Sequence, residues 1–244
     1  MRSRPTLSAP VLPDVTPGAA AVASVVDAAA EVVGRRRRLR APAVVARRVT
    51  AFDQAADVAL DRLRGHGGVD RAFYAASELG DYSLLWHIVG TARGLRSDRD
   101  AAEAVRLSGI LVAESVLVNG LIKQLFRRTR PVWEQPRAYT IRRPRSSSFP
   151  SGHASAAFTA ATILGERSRV WPLWYAAAGL VASSRAYVRI HHASDVVAGV
   201  VTGLVLGRVA RRVWPAPVDA SPFSGFRARR SAEYPVDPDP LAPV

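Results

Sequence analysis

The stretch "LSGILVAESVLVNGLI" (residues 107–122) decides the fold class. It is rich in Ala, Gly, Leu and Val and shows little alternation of period two, so it reads as helix and not as strand. Four further runs share that character: "YSLLWHIVG" (82–90), "ASAAFTAATILG" (154–165), "VWPLWYAAAGLVAS" (170–183) and "VVAGVVTGLVLG" (196–207). The expected fold is all-α, a helical bundle of about five to six core helices. Most of the runs fall short of the ~20 residues that a spanning helix needs, and one carries Glu114. Flanking residues can extend them, and the small side chains suit close packing in lipid, so a membrane-embedded bundle is favoured over a soluble one.

Before the core, residues 50–80 read as amphipathic helices. Phe52, Ala55, Ala56, Ala59, Leu60 and Leu63 fall on one face of a 3.6-residue period, with Asp53, Asp57 and Asp61 off it. Thr50 followed by Asp53 resembles a capping box. Residues 1–49 read as a basic, mostly disordered region, in which "GAAAVASVVDAAAEVVG" (18–34) is a possible helix with a weak claim to be an anchor. The segment "GRRRRLRAPAVVARR" (34–48) suits anionic headgroups, although a solvated charge run is at least as good a reading. The core is expected over 81–213, and the Pro-rich segment 214–244 is expected to be disordered.

The formal net charge of +14 points to anionic partners: nucleic acid, an anionic membrane or a phosphorylated substrate. The absence of cysteine excludes disulfides, thiolate metal sites and thiol nucleophiles. No zinc-finger spacing, RNA-binding motif or helix-turn-helix pattern is evident, which disfavours nucleic acid as the partner. Among 34 Lys+Arg residues, Lys123 is the single lysine, an exception that calls for a reason.

Polar clusters punctuate the apolar runs. Lys123, then Arg130-Pro131, closes the helix of Leu121 and Ile122; Pro150, Ser151, Gly152 and His153 open the next; Ser184, Arg185, His191 and Asp195 lead into the last. If each run crosses the bundle once, all three clusters meet at one end. Such a group suits a tetrahedral dianion: guanidinium groups present planar forks, the ammonium a compact point charge, and the helix N-terminus at Gly152 its backbone N–H groups. Phosphoryl transfer is mainly positioning and charge stabilisation, so the same group can serve catalysis. One histidine would attack phosphorus as a neutral imidazole and the other would protonate the leaving alkoxide. If the last helix begins early enough, Asp195 lies one turn beyond His191 and holds one ring nitrogen, which assigns His191 as nucleophile and His153 as acid.

In order and spacing, these residues resemble the three-part signature of the type 2 phosphatidic acid phosphatase superfamily, which includes lipid phosphatases, bacterial acid phosphatases and vanadium haloperoxidases. Every signature position is filled: Lys123, Arg130, Pro131, Pro150, Ser151, Gly152, His153, Ser184, Arg185, His191 and Asp195. The resemblance covers roughly residues 80–210. It implies a helical bundle and hydrolysis that needs no metal or other cofactor, through a phosphohistidine on His191. It also implies that His153 acts as acid, that Asp195 orients His191, and that Lys123, Arg130, Ser151, Gly152 and Arg185 bind phosphate. Lys123 is then retained for a phosphate oxygen.

The expected activity is hydrolysis of a lipid phosphomonoester or diphosphate, prenyl or phosphatidic-acid-like, at a bacterial-type plasma membrane. Alternatives are a soluble acid phosphatase, a vanadate-dependent haloperoxidase and a non-enzymatic basic membrane or nucleic-acid adaptor. His191 and His192 diverge as neighbours and lack a third ligand at suitable spacing, so a metal pair is disfavoured. His192 reads as a neighbour of the site, His87 as a hydrogen-bonded core residue and His66 as exposed. Arg127, Arg128, Arg137, Arg142, Arg143 and Arg145 lean towards a solvated loop, and Ser146 to Ser148 towards a flexible one. Trp133, Trp171 and Trp174 are interfacial aromatics if the bundle lies in lipid, and core residues otherwise.

Overall fold

The computed structural model describes residues 43–132, 139, 141, 144 and 146–216. The expectations for segment 18–34, for most of both tails, and for Trp133, Arg137, Arg142, Arg143 and Arg145 lie outside the described residues. Within them the chain is helical and no strand occurs. In chain order the helices are α1 (Ala43–Asp61), α2 (Gly67–Leu79), α3 (Leu84–Gly94), α4 (Asp98–Leu125), α5 (Gly152–Gly165), α6 (Trp171–Tyr187) and α7 (Ala193–Val213).

Helix α5 is the centre of the bundle. Ala154, Ala157, Ala160 and Ala161 are fully buried, and the helix is apolar nearly all round, as an enclosed helix must be. It packs against α4, α6 and α7. Trp86 on α3, Leu107, Ile110 and Leu111 on α4, and Ala178 and Val181 on α6 complete one core cluster with it. The α5–α7 contact is close because Gly199, Gly203 and Gly207, spaced four apart, face α5. A Cβ at Gly199 or Gly203 would collide with the carbonyl of Ser151 or Ser155.

The apolar run at 107–122 is one part of a longer helix. Ser97 caps α4 by accepting from the N–H of Asp100 at 3.1 Å, and the helix runs 28 residues to Leu125. Over Val116–Ile122 it widens into π-type turns before closing with Lys123–Leu125. Helices α4 and α7, of 28 and 21 residues, are long and apolar enough to cross a bilayer by length and composition. The run at 82–90 does not form one continuous helix, because Tyr82 and Ser83 adopt left-handed conformations and α3 begins only at Leu84.

One expectation about α1 fails. The helix begins at Ala43, upstream of the expected start at Thr50, so Thr50 lies inside it and donates to the Ala46 carbonyl at 3.0 Å instead of forming a capping box. Its aspartates reach the bundle beside part of its apolar stripe: Asp53 is buried and Leu60 packs against Tyr187, Val188 and Ile190, while Phe52 is exposed. Charge pairing decides this orientation. Asp57 and Asp61 both accept from Arg189, at 3.0 and 2.6 Å, and Asp53 accepts from Arg128 at 2.6 Å.

Candidate active site

One cavity of about 440 Å³ gathers the C-terminal end of α4, the N-terminus of α5 and the loop between α6 and α7. Lys123, Arg130, Gly152, His153 and His191 all line it, so the three sequence clusters meet as the topology required. Lys123 reaches it through the π-type turns. In an unbroken α-helix Glu114 and Lys123 would point about 180° apart, at 3.6 residues per turn. The wider turns rotate less per residue, and both side chains line the same cavity. The Lys123 side chain is 8% exposed and makes no hydrogen bond or ion pair among the described residues.

His191 lies outside helix, because α7 begins at Ala193 with His192 as its N-cap. Its position comes from the end of α6: Arg189 takes a left-handed conformation (φ 53°), and the N–H groups of Ile190 and His191 both donate to the Arg185 carbonyl at 3.1 Å. Nδ1 of His191 is 2.7 Å from the Ser148 carbonyl oxygen, which can only accept, so the hydrogen-bond network places the ring proton on Nδ1. Nε2 therefore carries the lone pair and lies 3.1 Å from Nη1 of Arg130. Burial, and then the positive charges of Arg130, Arg185 and Lys123, push the imidazole pKa down to about 3, against the opposing pull of Asp195. The ring is neutral, as a nucleophile must be.

Asp195 is fully buried, but it does not bond to the ring in the expected direct way: its Oδ2 is 3.8 Å from Nδ1. The early helix start that a turn-spaced pair needs is absent. Oδ2 instead accepts from the Ser148 hydroxyl and from the His192 N–H at 2.9 Å, and Oδ1 accepts from Arg128 at 2.6 Å. Asp195 thus holds Ser148, whose carbonyl holds His191.

Two residues set aside as loop in the sequence are therefore structural parts of the site. Ser148 is fully buried, and Arg128 bridges Asp53, Ser194 and Asp195. The position of Ser148 just before "FPSGH" was the available signal; nothing in the sequence separated Arg128 from the exposed Arg127. Sequence reading also missed Asp81, whose Oδ1 is 2.6 Å from Nε2 of His153.

The remaining expected phosphate ligands are placed less directly. Ser151 is fully buried and caps α5, accepting from the Ala154 N–H at 3.4 Å. Arg185 is buried and donates to Ser77. Gly152 does line the cavity, where a Cβ would come within 2.8 Å of Asn119 Oδ1. His87 bonds to Ser108 at 3.0 Å and also reaches the cavity, while His66 is exposed and His192 lies beside the site, 3.3 Å from the Thr129 carbonyl.

Comparison with known proteins identifies the family. Residues 103–218 match the model of the PAP2 superfamily. The chain is 33% identical over 139 residues to decaprenylphosphoryl-5-phosphoribose phosphatase of Mycobacterium tuberculosis, covering 56% of this chain and 76% of that protein. It is 27% identical over 150 residues to the putative undecaprenyl-diphosphatase YbjG of Escherichia coli K12, covering 61% and 74%. In fold it resembles a transmembrane PAP2-type phosphatidylglycerolphosphate phosphatase from Bacillus subtilis, with a TM-score of 0.53 at 20% identity over 78% of this chain and 94% of the other. With Lys123, Arg130, Gly152, His153 and His191 lining one cavity and a matched relative above 30% identity, the chain belongs to the PAP2 superfamily and is a phosphatase.

Proposed function

We propose that the chain removes phosphate from a membrane lipid, a prenyl-linked phosphomonoester or diphosphate first and a phosphatidic-acid-like lipid second, through a phosphohistidine and without a metal. The observation that carries this reading is the neutral His191, whose lone pair on Nε2 points at the cationic wall of Lys123 and Arg130. Nε2 attacks phosphorus and the bond from phosphorus to the leaving oxygen breaks. His153 supplies a proton to that oxygen, then takes one from the water that attacks the phosphohistidine, releasing phosphate and restoring His191. Lys123, Arg130 and the N–H groups at Gly152 offset the charge on the phosphoryl oxygens, with Arg185 and the Ser151 cap supporting them from behind.

A lipid substrate is supported by the outer surface. Val197, Val201, Val205, Val209 and Val213 form an exposed stripe along α7, and Val105, Val112 and Val116 are exposed on α4. In water such a surface promotes aggregation; in a bilayer it is the expected outer face. The names of the relatives point the same way, since two of those proteins are described as acting on prenyl-linked substrates.

The test is phosphate release in excess EDTA from phosphatidic acid, a prenyl diphosphate, a prenyl-linked sugar phosphate and a soluble aryl phosphate, with wild type and His191→Ala. Release that survives EDTA and disappears in the variant supports the reading, and the best substrate selects the lipid class. Release that requires metal, or that persists without His191, rejects it.

A further inference from the structure

Helix α1 turns two different sides to its surroundings. On one side its polar partners are gathered at one end of the bundle. Asp53 accepts from Arg128 and from the Ser194 N–H, and Asp57 and Asp61 accept from Arg189. Just past the helix, Arg64 donates to the carbonyls of Ala186 and Tyr187. A helix running alongside α6 or α7 would meet partners at successive turns of it. Apart from Arg128, these partners belong to the last turn of α6, the first turn of α7 and the loop between, so α1 lies across the end of the bundle.

The other side is exposed. Val44, Val45, Ala51, Phe52, Ala55 and Val58 are all open to the surroundings, and at about 100° per residue they fall within an arc of about 140°. The arc holds no acidic residue, because Asp53, Asp57 and Asp61 lie on the side turned to the bundle. Its charge is arginine alone: Arg48 within it and Arg47 at its edge, both exposed. The chain leading towards the helix, "GRRRRLR" (34–40), adds five more arginines. Apolar side chains with arginine and no carboxylate suit a helix lying on anionic lipid, with the apolar groups at the acyl boundary and the guanidinium groups on lipid phosphates.

The lipid-facing surface of the bundle reaches the same level. Ser194, bonded to α1, lies in the first turn of α7, and the exposed valine stripe of α7 begins at Val197. With acyl chains on that stripe, headgroups stand beside the end of α7, where α1 lies. A second copy of the chain on this face would set arginine against arginine, which is unfavourable.

We infer that α1 is an in-plane docking helix for an anionic bilayer surface, with Phe52 and its valine neighbours among the headgroups and Arg47 and Arg48 on lipid phosphates. Its aspartates tie it to Arg189 and Ser194, on either side of His191, so the docked helix keeps the active site at the depth of lipid phosphates. The inference rests on the membrane reading of α7 given under the proposed function, and not on the phosphohistidine chemistry.

The chain has no cysteine, so single cysteines can be spin-labelled without background. Labels are placed on the full chain at Val45→Cys, Phe52→Cys, Thr50→Cys and Val205→Cys, in nanodiscs of phosphatidylcholine alone or mixed with phosphatidylglycerol. Collisions with oxygen, which concentrates in lipid, and with a water-soluble nickel chelate are then compared. Oxygen is expected to dominate at positions 45 and 52 in the mixed discs, and nickel at Thr50, exposed on the side away from the arc. The oxygen excess at positions 45 and 52 should fall in phosphatidylcholine alone and when Arg47→Gln and Arg48→Gln are added. Nickel dominating at both positions in the mixed discs overturns the inference. Shielding of both from both reagents also overturns it, since a protein cover, such as residues 18–34 or a second copy, would then occupy the face. An equal oxygen excess in the two kinds of disc overturns the anionic preference. None of these three outcomes touches the phosphatase reading, whereas nickel dominating at position 205 overturns the membrane reading itself.

Discussion

Oδ1 of Asp81 lies 2.6 Å from Nε2 of His153, joining the turn before α3 to the first turn of α5. The contact depends on Gly80, where a Cβ would come within 2.8 Å of both the His153 ring and Val181. The carboxylate therefore sits against the proposed acid on a backbone that can approach it closely.

Asp81→Asn is expected to lower kcat by roughly 10- to 100-fold with a smaller change in KM, because it removes a charged partner from the acid while the phosphate ligands remain. The measurement is the pH dependence of kcat. A positioning role moves the limb that belongs to His153, whereas loss of folded protein would scale the whole profile without moving it.

His191 should stay reactive in acid. With its pKa held down to about 3, the ring is unprotonated at any pH above that value, and attack is lost only as pH falls through it. The acid limb of kcat/KM assigned to His191 is thus expected below pH 5, against about 6.5 for an unperturbed imidazole. Titrating the His191 ring by NMR in micelles checks this directly; a midpoint near 6.5 would contradict the account of its burial and cationic surroundings.

Asp53 and Arg128 should couple to the site from a distance. Arg128 donates to both Asp53 and Asp195, and Asp53 also accepts from the Ser194 N–H at 2.8 Å. A double-mutant cycle with Asp53→Asn and Arg128→Leu is expected to give a coupling of about 1–3 kcal/mol in thermal stability, as groups in one buried network do. Each single variant should also reduce kcat, because the network carries the strand of contacts through Asp195 and Ser148 to His191.

Gly203→Val should disrupt the α5–α7 contact by about 1–3 kcal/mol or more, because the new side chain meets the Ser155 backbone, which cannot rotate away. Gly120→Ala, where nothing lies within 4 Å of a new Cβ, is the matched control and should be nearly neutral. Melting temperatures in detergent compare the two.

The meeting of Lys123, Arg130, His153 and His191 in one cavity was legible from residue order alone. The unpatterned apolar runs specified helices, and an even number of crossings between clusters put Lys123, Arg130, His153 and His191 at one end. Composition and spacing carry that information because helix periodicity and chain direction are local properties. The pairing of the α1 aspartates was not legible, since three aspartates off an apolar stripe look solvent-facing until their arginine partners, far away in the chain, are in place. The same holds for Ser148 and Asp81, whose roles arise from contacts to His191 and His153 across the bundle. Only tertiary structure could decide that Asp195 holds His191 through Ser148, and that π-type turns bring Lys123 to the side of Glu114. Sequence determines which groups exist and in what order they follow; their pairing depends on distances set by packing, and a difference of about 1 Å separates a hydrogen bond from none.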